Sequence, residues 1–268
     1  MVAAIPAGSA RSAAVDALRA AGCDTPELDA ELLIADALGV GRGALIADPG
    51  MVIPPPAARV IGDRVRRRVQ REPVAYILGS QGFRFIELAV DRRVLIPRPE
   101  TELLVELALK LPDGACVHDV GTGSGAIALA LRDERPDLRV SASDVSPEAV
   151  GVARANAARM GLALEVSQAA GLPPGSYDLV VANLPYVTQA EYARLGPELR
   201  LFEPREALVA GADGLDAIRS LVQSAPNGTR LALEHGAGQG VAVRALLDDP
   251  TTHRDLAGHE RVTVGRAP

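Results

Sequence analysis

Two stretches of this 268-residue chain combine residue types and spacing that can do chemistry. The first is Asp119-Val120-Gly121-Thr122-Gly123-Ser124-Gly125-Ala126, with Asp144 following at the end of the next predicted strand. Glycines let a backbone turn sharply and come close to a ligand. A strand feeding a helix through such a turn also presents N–H donors at the helix terminus. A carboxylate at Asp144 is placed to accept hydrogen bonds from ribose hydroxyls. Gly121, Gly123 and Ala126 equally satisfy G-x-G-x-x-A, a dinucleotide fingerprint. The loop alone therefore leaves the nucleotide open, and a tight turn without a ligand stays an alternative. A P-loop is excluded, because it needs a lysine directly after its glycines and the only lysine is Lys110. There is no G-x-S-x-G elbow for a serine hydrolase.

The second stretch is Asn183-Leu184-Pro185-Tyr186, which follows a predicted strand at 178–182. In a parallel sheet it stands at the carboxyl edge, the same edge as Gly121 and Asp144. Such an element suits methylation of an amide nitrogen or an exocyclic amine. An amide nitrogen is a poor nucleophile because its lone pair is delocalised. The Asn183 side-chain oxygen and the Leu184 backbone carbonyl supply two acceptors for its two N–H bonds. Together they aim the nitrogen at a methyl carbon, with Tyr186 as a wall beside the planar group. Positioning of this kind can supply up to roughly 7–11 kcal/mol of barrier reduction. No metal is required. Asn and Pro are also common in ordinary turns, so the coupling to the glycine loop and Asp144 is what favours the chemical reading.

The elements that must hold these residues alternate from 115 onwards. Strands are expected at 116–120, 139–142, 164–166, 177–182, 230–234 and 261–265, and helices at 126–132, 147–160, 213–225 and 239–247. This alternation demands a mostly parallel sheet covered by helices on both faces, and the last short strand could run antiparallel. Upstream, 12–21, 26–38 and 57–70 read as helices and the proline-rich 48–56 as a loop. Short strands at 76–79, 83–85 and 88–90 around a turn at 79–82 suggest a hairpin. After it, Ile96-Pro97-Arg98-Pro99-Glu100-Thr101-Glu102 opens an amphipathic helix reaching Lys110.

Arg64, Arg66, Arg67, Arg68 and Arg71 crowd the third helix, which reads as a solvated face or as a surface for RNA or a ribosome-associated partner. The net charge is −6, with 48% hydrophobic and 23% charged residues. That balance suits a globular core and weighs against a nucleic-acid substrate, which calls for a basic surface. Cys23 and Cys116 lack metal or redox spacing and are expected as reduced thiols of a cytoplasmic protein. No apolar run approaches the roughly 18 residues of a membrane span, and no signal peptide is expected. His118, His235, His253 and His259 show no ligand spacing and are expected to be structural or on the surface.

These motifs, taken with several others, resemble the PrmC/HemK family, the release factor glutamine N5-methyltransferases. The resemblance runs through Leu28-Asp29-Ala30-Glu31-Leu32-Leu33, Glu72-Pro73-Val74-Ala75-Tyr76-Ile77-Leu78-Gly79 and the Pro97 to Glu102 segment. It continues through Glu203-Pro204-Arg205-Glu206-Ala207-Leu208, Leu233-Glu234-His235-Gly236 and Glu260-Arg261-Val262-Thr263-Val264-Gly265-Arg266. It implies an α/β protein: a helical recognition domain at 1–73, a β-hairpin linker at 74–94 and a Rossmann-like, seven-stranded class I methyltransferase domain at 95–268. It implies S-adenosylmethionine as methyl donor, held by Gly121, Thr122, Gly123, Ser124, Gly125, Asp144, Gln168 and Asn183. Asn183, Leu184, Pro185 and Tyr186 would be catalytic. The implied substrate is the glutamine of the Gly-Gly-Gln loop in class I peptide-chain release factors.

Two departures stand out. Leu184 replaces the first proline of the family's Asn-Pro-Pro-Tyr, and Asn-Leu-Pro-Tyr also occurs in methyltransferases acting on adenine in ribosomal RNA. Ser167-Gln168-Ala169-Ala170 has no carboxylate where the family places one near the adenine, so Gln168 is expected to substitute. Three alternatives follow: an adenine methyltransferase, a nicotinamide-dependent oxidoreductase using Gly121 to Ala126, and a non-catalytic module of the same fold. Hydride transfer has no use for Asn-x-Pro-Tyr, which counts against the second.

Overall fold

The computed structural model describes residues 5–268, which form two compact units, 5–79 and 80–268.

The first unit is helical. Its helices are α1 (Ala7–Ala20), α2 (Pro26–Leu38), α3 (Arg42–Ala47), α4 (Pro55–Val69) and α5 (Val74–Leu78), with two-residue strands β1 (Ile5–Pro6) and β2 (Val52–Ile53) paired antiparallel. Proline at the first turn of α2 and of α4 costs no helical hydrogen bond. Leu18, Ile34, Leu45, Ile53 and Ile61 form the core. Full burial of such a side chain stabilises by roughly 1.5–3 kcal/mol. Around it, carboxylates on α2 hold the neighbouring helices. Arg68 of α4 pairs with Asp29 at 2.7 Å, both side chains buried, while Glu31 takes Arg11 of α1 at 2.5 Å and Arg42 of α3 at 3.1 Å. The Leu28 to Leu33 motif is thus structural. Arg64, Arg66, Arg67, Arg68 and Arg71 also have partners within this unit. Arg64 reaches Asp36 and the Leu33 carbonyl, Arg66 pairs with Asp63, Arg67 pairs with Glu72, and Arg71 donates to the carbonyls of Ala21 and Gly22.

The expected hairpin differs in detail. Residues 76–78, read as a strand, form helix α5, ended by Gly79 at φ 77°. The hairpin itself is β3 (Ser80–Phe83) with β4 (Ile86–Ala89), and it belongs to the second unit. Its turn is Arg84-Phe85 rather than the glycines at 79 and 82. Arg84 adopts φ 51° although it is not glycine. Its guanidinium pairs in bidentate fashion with Glu134 at 2.5 and 2.8 Å, and its backbone N–H donates to Glu102 at 3.0 Å. Tertiary contacts therefore set the turn that local glycine content suggested elsewhere.

The second unit is built on a seven-stranded sheet. Its strands are β5 (Cys116–Val120), β6 (Arg139–Asp144), β7 (Glu165–Gln168), β8 (Leu179–Ala182), β9 (Arg230–Glu234), β10 (Asp248–Arg254) and β11 (Glu260–Arg266), in spatial order β10-β11-β9-β8-β5-β6-β7. The five strands from β5 to β9 are parallel; β11 runs antiparallel to β9, and β10 runs antiparallel to β11. β10 escaped the sequence reading because Asp248, Asp249, Pro250 and Thr251 are exposed on an edge strand without apolar alternation. The order reverses between β5 and β8, and a ligand crevice opens at the carboxyl ends beside such a switch point. Helices α6 (Glu102–Ala108), α7 (Ala126–Glu134) and α8 (Pro147–Met160) complete the elements that position the site.

Candidate active site

Backbone polar groups fix the glycine loop after β5. Gly121 and Thr122 donate to the Ser143 carbonyl of β6 at 2.9 and 3.0 Å. Gly121 (φ 73°) and Gly123 (φ 55°) both need the left-handed region. A Cβ on Gly121 would stand 2.8 Å from Leu184 Cδ2, so the turn after β5 and the loop after β8 are in close contact. Asp119 braces the loop from beneath, accepting the Thr122 hydroxyl at 2.6 Å. Complete burial pushes its carboxyl up to about 7. Asn156 of α8 is fully buried and ties the loop to the hairpin, donating to the carbonyls of Ser124 at 2.9 Å and Ala89 at 3.0 Å.

Asp144 at the end of β6 is held by two backbone donors, Gly123 N–H to Oδ2 and Ser146 N–H to Oδ1, each at 2.9 Å. Ser146 in turn caps α8 through Ala149. Across the switch point, Asn183 and Leu184 follow β8, and the Asn183 side-chain nitrogen donates to Thr101 Oγ1 at 2.8 Å. The segment before Thr101 is clamped by buried Glu203, which takes Arg98 at 2.5 Å and the Ile96 N–H at 3.3 Å.

One cleft joins these parts. Gly121, Thr122, Gly123, Ser124, Asp144, Asn183, Leu184 and Pro185 line it together with Arg98 and Thr101. Three expected residues stand outside the lining. Gly125 faces Leu129, where it permits close helix packing. Gln168 is exposed and bonds the Val145 carbonyl at 3.2 Å, while Val145 and Ser146 occupy the cleft wall in its place. Tyr186 directs its hydroxyl toward Glu234 Oε1 at 3.5 Å, and burial raises its pKa to about 12. Two histidines have structural partners. His118 bridges Ser141 and Ser143, and burial lowers it to about 4; His235 contacts Thr263 and the Gly236 carbonyl. Thr101, Asn156, Glu203 and Glu234 were not singled out by residue chemistry, although the motifs containing Thr101, Glu203 and Glu234 carried the family resemblance.

Comparison with known proteins identifies the family. Residues 9–79 match the model of the PrmC N-terminal domain, and residues 99–202 match the methyltransferase small domain. A release factor glutamine methyltransferase of Pseudomonas aeruginosa is 45% identical, covering 91% of this chain and 94% of its own. Its counterpart in Cereibacter sphaeroides is 41% identical, covering 98% and 99%. This chain belongs to the release factor glutamine methyltransferase family. Among solved structures, a methyltransferase from Pyrococcus furiosus shares the fold, with a TM-score of 0.50 and 17% identity, covering 76% of this chain and 96% of that one. Membership explains why the motif around Asp29 and Glu31, far from the cleft in sequence, accompanies the methyltransferase motifs. Leu184, where the resemblance would set a proline, lies against Gly121. No helix among the described residues is long and apolar enough to cross a membrane.

Proposed function

We propose that the protein transfers a methyl group from S-adenosylmethionine to the side-chain amide nitrogen (N5) of the glutamine in the Gly-Gly-Gln motif of class I release factors, leaving S-adenosylhomocysteine. The observation that carries this reading is the convergence of Gly121, Gly123 and Asp144 with Asn183 and Leu184 on one cleft. The residues fit the cofactor. A Cβ at Gly123 would meet nothing within 4 Å, so the backbone there is open to a ligand. Asp144 presents a carboxylate already oriented by two backbone N–H groups, with further lone pairs for ribose hydroxyls.

The cofactor supplies an electrophilic methyl group on a cationic sulfur. Asn183 Oδ1 and the Leu184 carbonyl accept the two glutamine N–H bonds and hold the nitrogen in line. The nitrogen loses one proton to solvent as it gains the methyl group, because methylation acidifies it, so no strong base is needed beforehand. The place of action under this reading is the cytoplasm, with a folded protein rather than a nucleic acid as direct substrate. The test is incubation with methyl-labelled cofactor, purified release factors and bulk RNA, read by mass spectrometry. Label on the Gly-Gly-Gln glutamine is expected. Label confined to RNA adenine would replace the substrate while keeping the methyltransferase.

A further inference from the structure

An asparagine amide is nearly symmetric in shape, yet only its oxygen can accept a substrate N–H. Something must decide which way Asn183 stands. β8 and β9 run parallel with Ala182 paired to Leu233, so Asn183 and Glu234 each stand one residue beyond that pair on neighbouring strands. Thr101 reaches the same place from the turn Pro99–Thr101. It is buried, and its hydroxyl oxygen accepts the Asn183 Nδ2–H at 2.8 Å. Its hydroxyl proton then needs an acceptor. Glu234 stands on the neighbouring strand beside Asn183, and a hydrogen bond from the Thr101 hydroxyl would favour the charged form of that carboxyl. Glu234 is 1% exposed, and its Oε2 completes no hydrogen bond among the described residues, so a lone pair stays open.

The geometry points to Thr101 and Glu234 as positioning residues that fix the orientation of Asn183, an inference that rests on the glutamine methyltransferase reading. The carboxylate draws the Thr101 proton, which leaves the Thr101 oxygen to accept from Asn183 Nδ2 and turns Asn183 Oδ1 toward the cleft. A hydroxyl has one proton, so it cannot donate to Glu234 and to Asn183 Oδ1 together. Were Glu234 neutral, it could donate to Thr101, and the hydroxyl could then turn its proton on Asn183 and favour the flipped amide. The groups facing Glu234 are Thr101, Tyr186, Arg261 and Glu100; Arg261 favours the carboxylate and Glu100 opposes it. Burial dominates and raises the Glu234 carboxyl to about 7. This role also accounts for the joint presence of Pro-Arg-Pro-Glu-Thr-Glu, Asn-x-Pro-Tyr and Leu-Glu-His-Gly in one chain, since each contributes one member.

The test uses the full chain with a folded release factor and methyl-labelled cofactor. Thr101→Val keeps the shape and removes both hydrogen-bonding roles. It is expected to lower kcat by about 30-fold, roughly 2 kcal/mol, with cofactor Kd and melting temperature near wild type. Thr101→Ser is expected to restore kcat to within about threefold of wild type. Wild-type kcat is expected to rise with pH as Glu234 ionises, and Glu234→Gln, whose amide can donate as well as accept, is expected to lower kcat and flatten that limb. A Thr101→Val kcat within twofold of wild type, or a Thr101→Ser variant no better than Thr101→Val, overturns the relay. An unchanged acid limb in Glu234→Gln overturns the part assigned to its charge. Wild-type protein that labels RNA and no release factor instead refutes the underlying substrate reading, a result visible before any variant is made.

Discussion

Under the proposed function Asn183 and Asp144 divide the work of the cleft between turnover and cofactor binding, and single substitutions should separate the two. Asn183→Ala is expected to bind cofactor normally while kcat nearly vanishes, because the lost contact orients the reacting nitrogen. Calorimetry and a methyl-transfer assay check this, and near-normal kcat would remove Asn183 from the mechanism. Asp144→Ala is expected to weaken cofactor binding by roughly 1.5–3 kcal/mol, the worth of hydrogen bonds to a charged group. Unchanged calorimetric affinity would place the ribose elsewhere. Both residues were legible in the sequence because each ends a strand next to a motif whose chemistry is local. The family resemblance implies Gln168 as a cofactor contact, but its side chain turns back on the Val145 carbonyl. Thr101 meets Asn183, and Glu234 stands beside it on the neighbouring strand, only through the crossing of distant segments, and no spacing rule reports such a meeting.

Elements are legible where periodicity is local and obscure where a tertiary contact decides. The helix Pro147–Met160 has Ser146 as cap, Pro147 in its first turn and Gly161 at its end, and its bounds agree with the expected 147–160. The β3–β4 turn has no such local signal, since Arg84 holds a positive φ through Glu134 and Glu102. Removing one member of a buried ion pair leaves its partner uncompensated, at a cost of roughly 3–5 kcal/mol. Arg84→Ala should fall toward the lower end, because both side chains keep slight exposure. Denaturant unfolding checks the loss, and a change below about 1 kcal/mol would show that the pair does not set the turn. The close approach of Gly121 to Leu184 bears on the family departure. Leu184→Pro loses apolar contact with the loop but keeps the backbone carbonyl and an extended residue before Pro185. Glutamine methylation should survive with a rate change of at most about tenfold, roughly 1.4 kcal/mol; a loss of a hundredfold or more would make Leu184 a determinant of this enzyme's geometry.

Across the whole molecule, buried titratable groups and separate cores govern stability. His118 is lowered to about 4 from 6.5, so its contribution is present above pH 6.5 and is lost as pH falls toward 4. Asp119 and Glu234 are raised to about 7, so theirs is full below the ordinary carboxyl range and is lost as pH rises through 7. The two trends oppose one another between pH 4 and 7. His118→Asn should therefore leave a melting temperature that falls more steeply with rising pH than that of wild type, and parallel profiles would contradict the assignment.

The division into two units carries the last prediction. Residues 1–79 hold a core around Leu18, Ile34 and Ile61, with the Arg68–Asp29 pair buried inside it. A unit of this size is marginal but can fold alone. Every cleft residue assigned above lies within 80–268, which has its own core around Ile218, Leu221, Leu231 and Leu233. A fragment of residues 80–268 should accordingly bind S-adenosylmethionine with an affinity within a few fold of the full chain. Its methylation of a folded release factor should drop far more than its methylation of a short Gly-Gly-Gln peptide, because contacts remote from the reacting atoms help to position the large substrate. The helical unit matches a domain found with this enzyme family and contributes no residue to the cleft, which leaves partner recognition as its proposed task. Calorimetry on the fragment and paired kinetics on the two substrates make the check. Equal losses on protein and peptide would show that residues 1–79 support the catalytic unit rather than the substrate.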